Sequence, residues 1–193
     1  MPYDRDHFFA SVRETLFNGV LSQRQVDGMN YLLGVWEQRF ERDNPDDRWL
    51  AYALATAFHE TAYMMTPLEE YGEGEGQPYG EPTGPYHECY YGRGHVQLTW
   101  EANYQKGEQI LKDRYAIDVP LHQYPHRMLE DETSALILYD GMIFGWFTGL
   151  GLPQFFNETT EDAVNARKIV NGLDHADVIA GYYDDFLAAL VPQ

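Results

Sequence analysis

One stretch of this sequence holds side chains that could carry acid–base chemistry. An apolar run from Trp49 to Phe58 ends in His59-Glu60-Thr61, and a polar, glycine-rich segment soon follows with Glu69, Glu70, Glu73 and Glu75. A carboxyl at the C-terminal end of a buried helix meets two influences that favour its protonated form: loss of water and the negative end of the helix dipole. A carboxyl that keeps its proton near neutral pH is what a general acid needs. A second carboxylate that stays ionised would serve as general base, and the summed charge of the loop would help hold the proton on Glu60. Two carboxylates in those roles are what glycoside hydrolysis requires, one protonating the leaving oxygen and the other activating water or attacking the sugar. A plainer reading stands beside this one. Glu60 can be a helix-end residue turned to solvent and the glutamates a solvated loop, and the residue pattern alone leaves the two readings of Glu60 level.

Other chemistries fit less well. His59-Glu60-Thr61-Ala62-Tyr63 departs from the HExxH zinc pattern, because Tyr63 stands where the second histidine would be. His87, Cys89 and His95 could join His59 around a metal, but their spacing is not a standard one, so neither metal nor other cofactor is expected. Cys89 lacks a Cys/His signature for a thiol nucleophile, and no role follows from sequence for His87, Cys89 or His95.

Beyond the acidic loop lies YYGRGHVQLTW, from Tyr90 to Trp100. Its glycines let backbone approach backbone or ligand closely. Arg93 between them carries five donors and reads best as a structural residue that pins the loop and tunes a catalytic glutamate. Gln97, Thr99 and Asn103 alternate with apolar residues as neutral hydrogen-bonding groups suited to hydroxyl- and acetamido-rich sugars. The 15 tyrosines in a chain of 193 residues point the same way, toward a ring-binding cleft, since tyrosine offers a flat apolar face and a polar tip. Tyr91, Trp100 and Tyr104 are the aromatic residues expected to meet substrate.

The elements that must position these residues are mainly helical. Apolar spacings of three and four predict a helix from Asp4 to Phe17, stopped by Asn18-Gly19, with Phe8, Phe9, Val12, Leu16 and Phe17 inward. Ser22 to Gln25 is a capping box that opens a second helix to about Glu41, with Val26, Met29, Leu33 and Trp36 inside. Pro45 suits the first turn of a third helix, Asp46 to Thr61, whose apolar faces all round predict that protein surrounds it. Residues 62–96 read as irregular loop with a short hairpin, long enough to be functional. Helices are expected from Trp100 to Tyr115, from Asp131 to Phe147, from a cap at Thr159 or Thr160 through Val170, and from Asp174 to Leu190, with a loop over 148–157.

Length and composition place limits on partners. A chain of 193 residues with 44% hydrophobic residues makes one domain, 1–193, with two lobes at most. A net charge of -18 argues against nucleic acid and against anionic membrane surfaces. One cysteine allows no intrachain disulfide. The first residues carry scattered charges and no apolar core of a signal peptide, and no apolar run reaches the ~18 residues of a membrane span. The expectation is a monomer made in the cytoplasm, whose target, if outside, is reached with the help of another factor.

FHET at Phe58 to Thr61, YYGRGHVQLTW, Asn103-Tyr104 and IVNG at Ile169 to Gly172 together resemble the family 19 glycoside hydrolases, which include class I-type chitinases and the related phage and prophage endolysins. Arg167 before IVNG and GWFTG at Gly145 to Gly149 are similar to the bacterial and phage branch. The resemblance spans about residues 45–190. It implies a mainly α, lysozyme-like fold of two lobes around a central cleft, with little β structure. It also implies cleavage of β-1,4 links next to N-acetylglucosamine, with inversion and without metal. Glu60 matches the family's general acid. PLEEYG places Glu70 as the base, with Glu69 its rival. Thr99, Gln97 and Asn103 match positions that hold the attacking water or the sugar, and Asn171 one that lies along the cleft. His59, Thr61, Arg93 and Arg167 are expected to support and tune the site. Peptidoglycan is the favoured substrate, in the manner of an endolysin, with chitin as the alternative. A non-catalytic glycan-binding protein on the same fold is the reading from another class, disfavoured because both candidate carboxylates are intact.

Overall fold

The helix that ends in Glu60 is the centre of the molecule. In a computed structural model describing residues 3–193, α3 (Asp47–Glu60) follows α1 (Arg5–Thr15) and α2 (Gln23–Arg39), and every residue from Leu50 to Phe58 in it is buried. Helix α7 (Ala176–Ala189) packs along it, with α5 (Asp131–Phe144) and α2 as further neighbours. α4 (Glu101–Tyr115) and the short α6 (Leu152–Phe155) pack against α5. One continuous core runs from Tyr3 to Leu190. The expected all-round burial of α3 and the central place of α5, buried without a break from Thr133 to Ile143, are both observed.

Caps set the helix starts. Ser22 and Gln25 exchange hydrogen bonds across the first turn of α2, the predicted capping box. Asp4 and Asp46 accept from the amides of His7 and Arg48 at the starts of α1 and α3. Pro45 therefore precedes the cap of α3 instead of occupying its first turn. α5 ends at Phe144, before the expected Phe147, because Gly145 adopts a left-handed φ of 67° and a Cβ there would meet the Leu150 carbonyl carbon at 2.7 Å.

Two segments depart from expectation. Residues 159–170 do not form an α-helix. Phe156 and Glu161 pair as an isolated bridge, and only a 3-10 turn over Asn165–Ile169 follows, opened by the Asp162 carboxylate accepting from the Asn165 amide at 3.0 Å. The predicted loop over 148–157 contains α6, with Pro153 in its first turn. The expected hairpin is a two-residue pair, β1 (Leu68–Glu69) antiparallel to β2 (Arg93–Gly94). Among the described residues the fold is seven α-helices with this one small sheet, and no helix is long and apolar enough to cross a membrane.

His95, unassigned by sequence, is a buried strut. Its Nδ1 lies 2.8 Å from Ser134 Oγ on α5, and its backbone N–H donates to the same oxygen at 2.7 Å. Burial pushes its pKa from 6.5 down to about 4. Between those values the unfolded chain binds a proton here that the fold does not. This contribution is whole above pH 6.5 and is lost as pH falls toward 4, by about 3 kcal/mol. Urea midpoints from pH 7 to 4 should fall more steeply for the wild type than for His95→Asn. Equal slopes would place the acid sensitivity elsewhere.

Candidate active site

Glu60 closes the last turn of α3. Thr61, fully buried, locks the exit by donating to the Ala57 carbonyl at 2.7 Å and accepting from the Met65 amide at 3.0 Å. Beyond it Ala62, Tyr63 and Met65 all have positive φ, a tight reversal that turns the chain away from the helix end. The Glu60 side chain is only 16% exposed, and its Oε1 accepts from Arg167 Nη1 at 2.6 Å. Arg167, 4% exposed, sits in the 3-10 turn and donates through Nε to the Asp174 carbonyl. Glu60 thus makes a short contact with a buried guanidinium, and Arg167 is fixed by backbone on its far side. His59 lies against His175, ring centroids 5.0 Å apart, and burial lowers its pKa, favouring the neutral ring.

The two adjacent glutamates face different ways. β1 and β2 pair with Glu69 opposite Arg93, and successive side chains of a strand point to opposite faces. Glu69 accepts from the Tyr91 hydroxyl at 3.0 Å and from Arg93 Nε at 3.1 Å, and does not line the cleft. Glu70 points across. Its amide donates to the Gly92 carbonyl at 2.7 Å, its Oε2 accepts from the Gly92 amide at 3.0 Å, and its Oε1 accepts from the Tyr79 hydroxyl at 3.3 Å. Gly92 permits this close approach: a Cβ there would stand 2.9 Å from Gln97 Oε1 and 3.2 Å from Glu70 Oε2.

Glu60 and Glu70 share a cleft of about 670 Å³, also lined by His59, Gln97, Thr99, Trp100, Asn103 and Asn171. Several of these side chains are partly committed. Gln97, at φ 52°, gives its amide hydrogens to the Leu68 and Gly94 carbonyls, clamping β1 to β2, so what it offers the cleft is an acceptor oxygen. Asn103 Nδ2 donates to the Thr99 carbonyl at 2.9 Å. Trp100 starts α4 at φ 73° with 49% of its surface exposed, its ring edge-on to Tyr79 at 5.3 Å.

Three expected roles change. Tyr104 is fully buried, its hydroxyl donating to the Tyr91 carbonyl at 2.8 Å, so it braces the loop and does not reach the cleft. Tyr91 is also buried, its ring stacked 3.5 Å from the Arg93 guanidinium, and it does not line the cleft either. Both are drawn inward by Arg93, which is 5% exposed and donates to the Cys89 carbonyl, the Tyr104 hydroxyl and Glu69. Arg93 pins the loop as expected, but the carboxylate it pairs with is Glu69 and not one facing the cleft. The structure adds Tyr79, Val96, Leu98, Phe147 and Val170 to the lining. Only the aromatic richness of the loop hinted at Tyr79, and the GWFTG motif at Phe147. Among the described residues no group of three or more His, Cys, Asp or Glu side chains could hold a metal ion.

This helical, lysozyme-like architecture is that of the family 19 chitinases. Chitinase C from Streptomyces griseus HUT6037 superposes with a TM-score of 0.55 at 20% identity, covering 99% of this chain and 77% of that one. A bacterial family 19 chitinase gives 0.52 at 19% identity, over 100% of this chain and 97% of the other. A glutamate-to-glutamine mutant of a chitinase C gives 0.51 at 18% identity, over 99% and 93%. No family model and no curated protein matches the chain. The likeness is one of fold, spanning the whole chain.

Proposed function

We propose that this protein is an inverting glycoside hydrolase that cleaves β-1,4 links next to N-acetylglucosamine, with bacterial peptidoglycan as its substrate. The observation that carries the reading is the shared cleft, where a partly buried Glu60 and a separately anchored Glu70 face one space while Glu69 is turned onto Arg93. Glu60 is the general acid. Its proton goes to the glycosidic oxygen, and Arg167 at 2.6 Å then stabilises the carboxylate left behind and fixes its direction. Glu70 is the general base. The Gly92 amide and Tyr79 hydroxyl hold its carboxylate as an acceptor, and Thr99 on the same lining steadies the attacking water. The water attacks the anomeric carbon from the face opposite the leaving group, its proton passes to Glu70, and the configuration inverts.

Chitin is the second reading, favoured by the fold shared with proteins described as chitinases. The deciding experiment offers the wild-type protein purified peptidoglycan and chitin oligomers side by side and records proton NMR spectra immediately after cleavage. The new reducing end should first appear as the α anomer. Retention of the β configuration would overturn the mechanism, and the faster of the two substrates settles the choice between them.

A further inference from the structure

The GWFTG segment enters neither carboxylate's role, yet it is anchored to the fold from several sides. Asp140, fully buried on α5, accepts from Trp146 Nε1 at 3.0 Å, and its other hydrogen bonds come from Arg114 and the Tyr115 hydroxyl. Lys106 on α4 donates to the Trp146 carbonyl at 2.9 Å. The Thr148 hydroxyl reaches the Lys168 and Ile169 carbonyls at 2.8 and 3.1 Å. Between these ties the tip of the Phe147 ring enters a notch on α5 that exists because residue 141 is glycine; a Cβ there would collide with the ring.

The held object is an apolar side chain in a cleft whose other walls are mostly polar. Thr148 bonds to Ile169, so the residues beside them, Phe147 and Val170, are brought to the same stretch of wall, with Asn171 next. The Asn171 Oδ1 is taken by the Gly172 amide at 2.8 Å, which leaves Nδ2 to donate. An apolar spot beside an amide donor does not suit a hydroxyl, which would lose its hydrogen bonds against the phenyl ring. It suits an acetamido group, which has a methyl at one end and a carbonyl acceptor at the other.

We propose that Phe147 and Val170 form the seat of the N-acetyl methyl group of one hexosamine unit, with Asn171 Nδ2 donating to its carbonyl. Phe147 is thereby a specificity-determining residue. The ligand class rests on the hydrolase reading above, but the geometry can be tested by binding alone. Titration calorimetry on Glu60→Gln protein, with N-acetylglucosamine tetramer and with glucosamine tetramer, supplies the comparison. Adding Phe147→Ala should raise Kd for the acetylated tetramer about tenfold or more, and for the amine by less than about twofold. Attraction between the cationic amine and this acidic chain is common to both proteins and cancels in each ratio. Gly141→Ala, which displaces the ring from its notch without altering a cleft residue, should give the same pattern. Equal factors for the two ligands, no effect in either variant, or no binding of the acetylated tetramer at all overturns the proposal. Absence of hydrolysis by the wild type would instead sink the enzymatic reading and leave this binding result standing.

Discussion

Glu60→Gln should lower kcat by at least about two orders of magnitude, and by up to about four, while leaving the fold intact. The reasoning is geometric before it is electrostatic. The carboxyl is held at the end of a helix buried from Leu50 to Phe58, with the exit locked by Thr61 and the orientation set by the 2.6 Å contact from Arg167. Glutamine keeps the shape, and its amide oxygen still accepts from Arg167, so what is removed is the transferable proton and the charge that remains after transfer. Far-UV circular dichroism should be unchanged, and single-turnover rates on the better of the two wall or chitin substrates should report the loss. A variant that turns over at the wild-type rate with an unchanged spectrum would remove Glu60 from the chemistry.

The second large effect separates two neighbours in sequence. Glu70→Gln should also lower kcat by about two orders of magnitude or more, because glutamine cannot take the water's proton although it can still accept from the Gly92 amide and the Tyr79 hydroxyl. Glu69→Gln should leave kcat within a few-fold of wild type. Its effect should fall on stability, since Arg93 is buried and loses its only carboxylate contact among the described residues. That loss is expected to be on the order of 1 kcal/mol, because Glu69 is 42% exposed and water screens the pair. Thermal midpoints and kcat for the two variants check both halves. The opposite pattern, with activity lost in Glu69→Gln and midpoint lost in Glu70→Gln, would move the base to Glu69.

The helices were legible because their signals are local. The capping box at Ser22 and the unbroken apolar run in α3 each act within a turn of themselves, whereas the stop at Gly145 went unread. The position of Glu60 at the end of that run was legible for the same reason. What sequence could not decide was which way Glu69 and Glu70 point. That is set by two residues of strand pairing with partners on the far side of a long loop, and periodicity over two residues carries no signal. The helix expected to Val170 failed because the Phe156–Glu161 bridge and the Asp162 contacts hold the backbone in a non-helical path, a tertiary effect overriding propensity. The tyrosine excess was read as cleft lining, but Tyr3, Tyr52, Tyr90, Tyr91, Tyr104, Tyr139 and Tyr183 are buried, so much of it is core. Of the three aromatics expected at the substrate, Trp100 alone lines the cleft. The GWFTG motif hinted at Phe147 but not at its place in the cleft, which depends on a missing side chain at Gly141.

The loop that follows Glu70 is closed off at its base. The Tyr90 amide donates to the Tyr79 carbonyl at 2.9 Å, so the chain between those residues leaves and returns at one point. Glu70, Tyr79 and Gly92 lie at or inside this neck, with the Cys89 carbonyl tied to Arg93, and residues 81–88 extend beyond it with the Tyr86 ring against His122. Because the entropy of closing a loop changes only slowly with its length, the hanging part is open to lengthening, trimming or exchange with little pull on the carboxylate. In that arrangement the length of the outer loop and the position of Glu70 are separable properties, lying on opposite sides of a single backbone hydrogen bond.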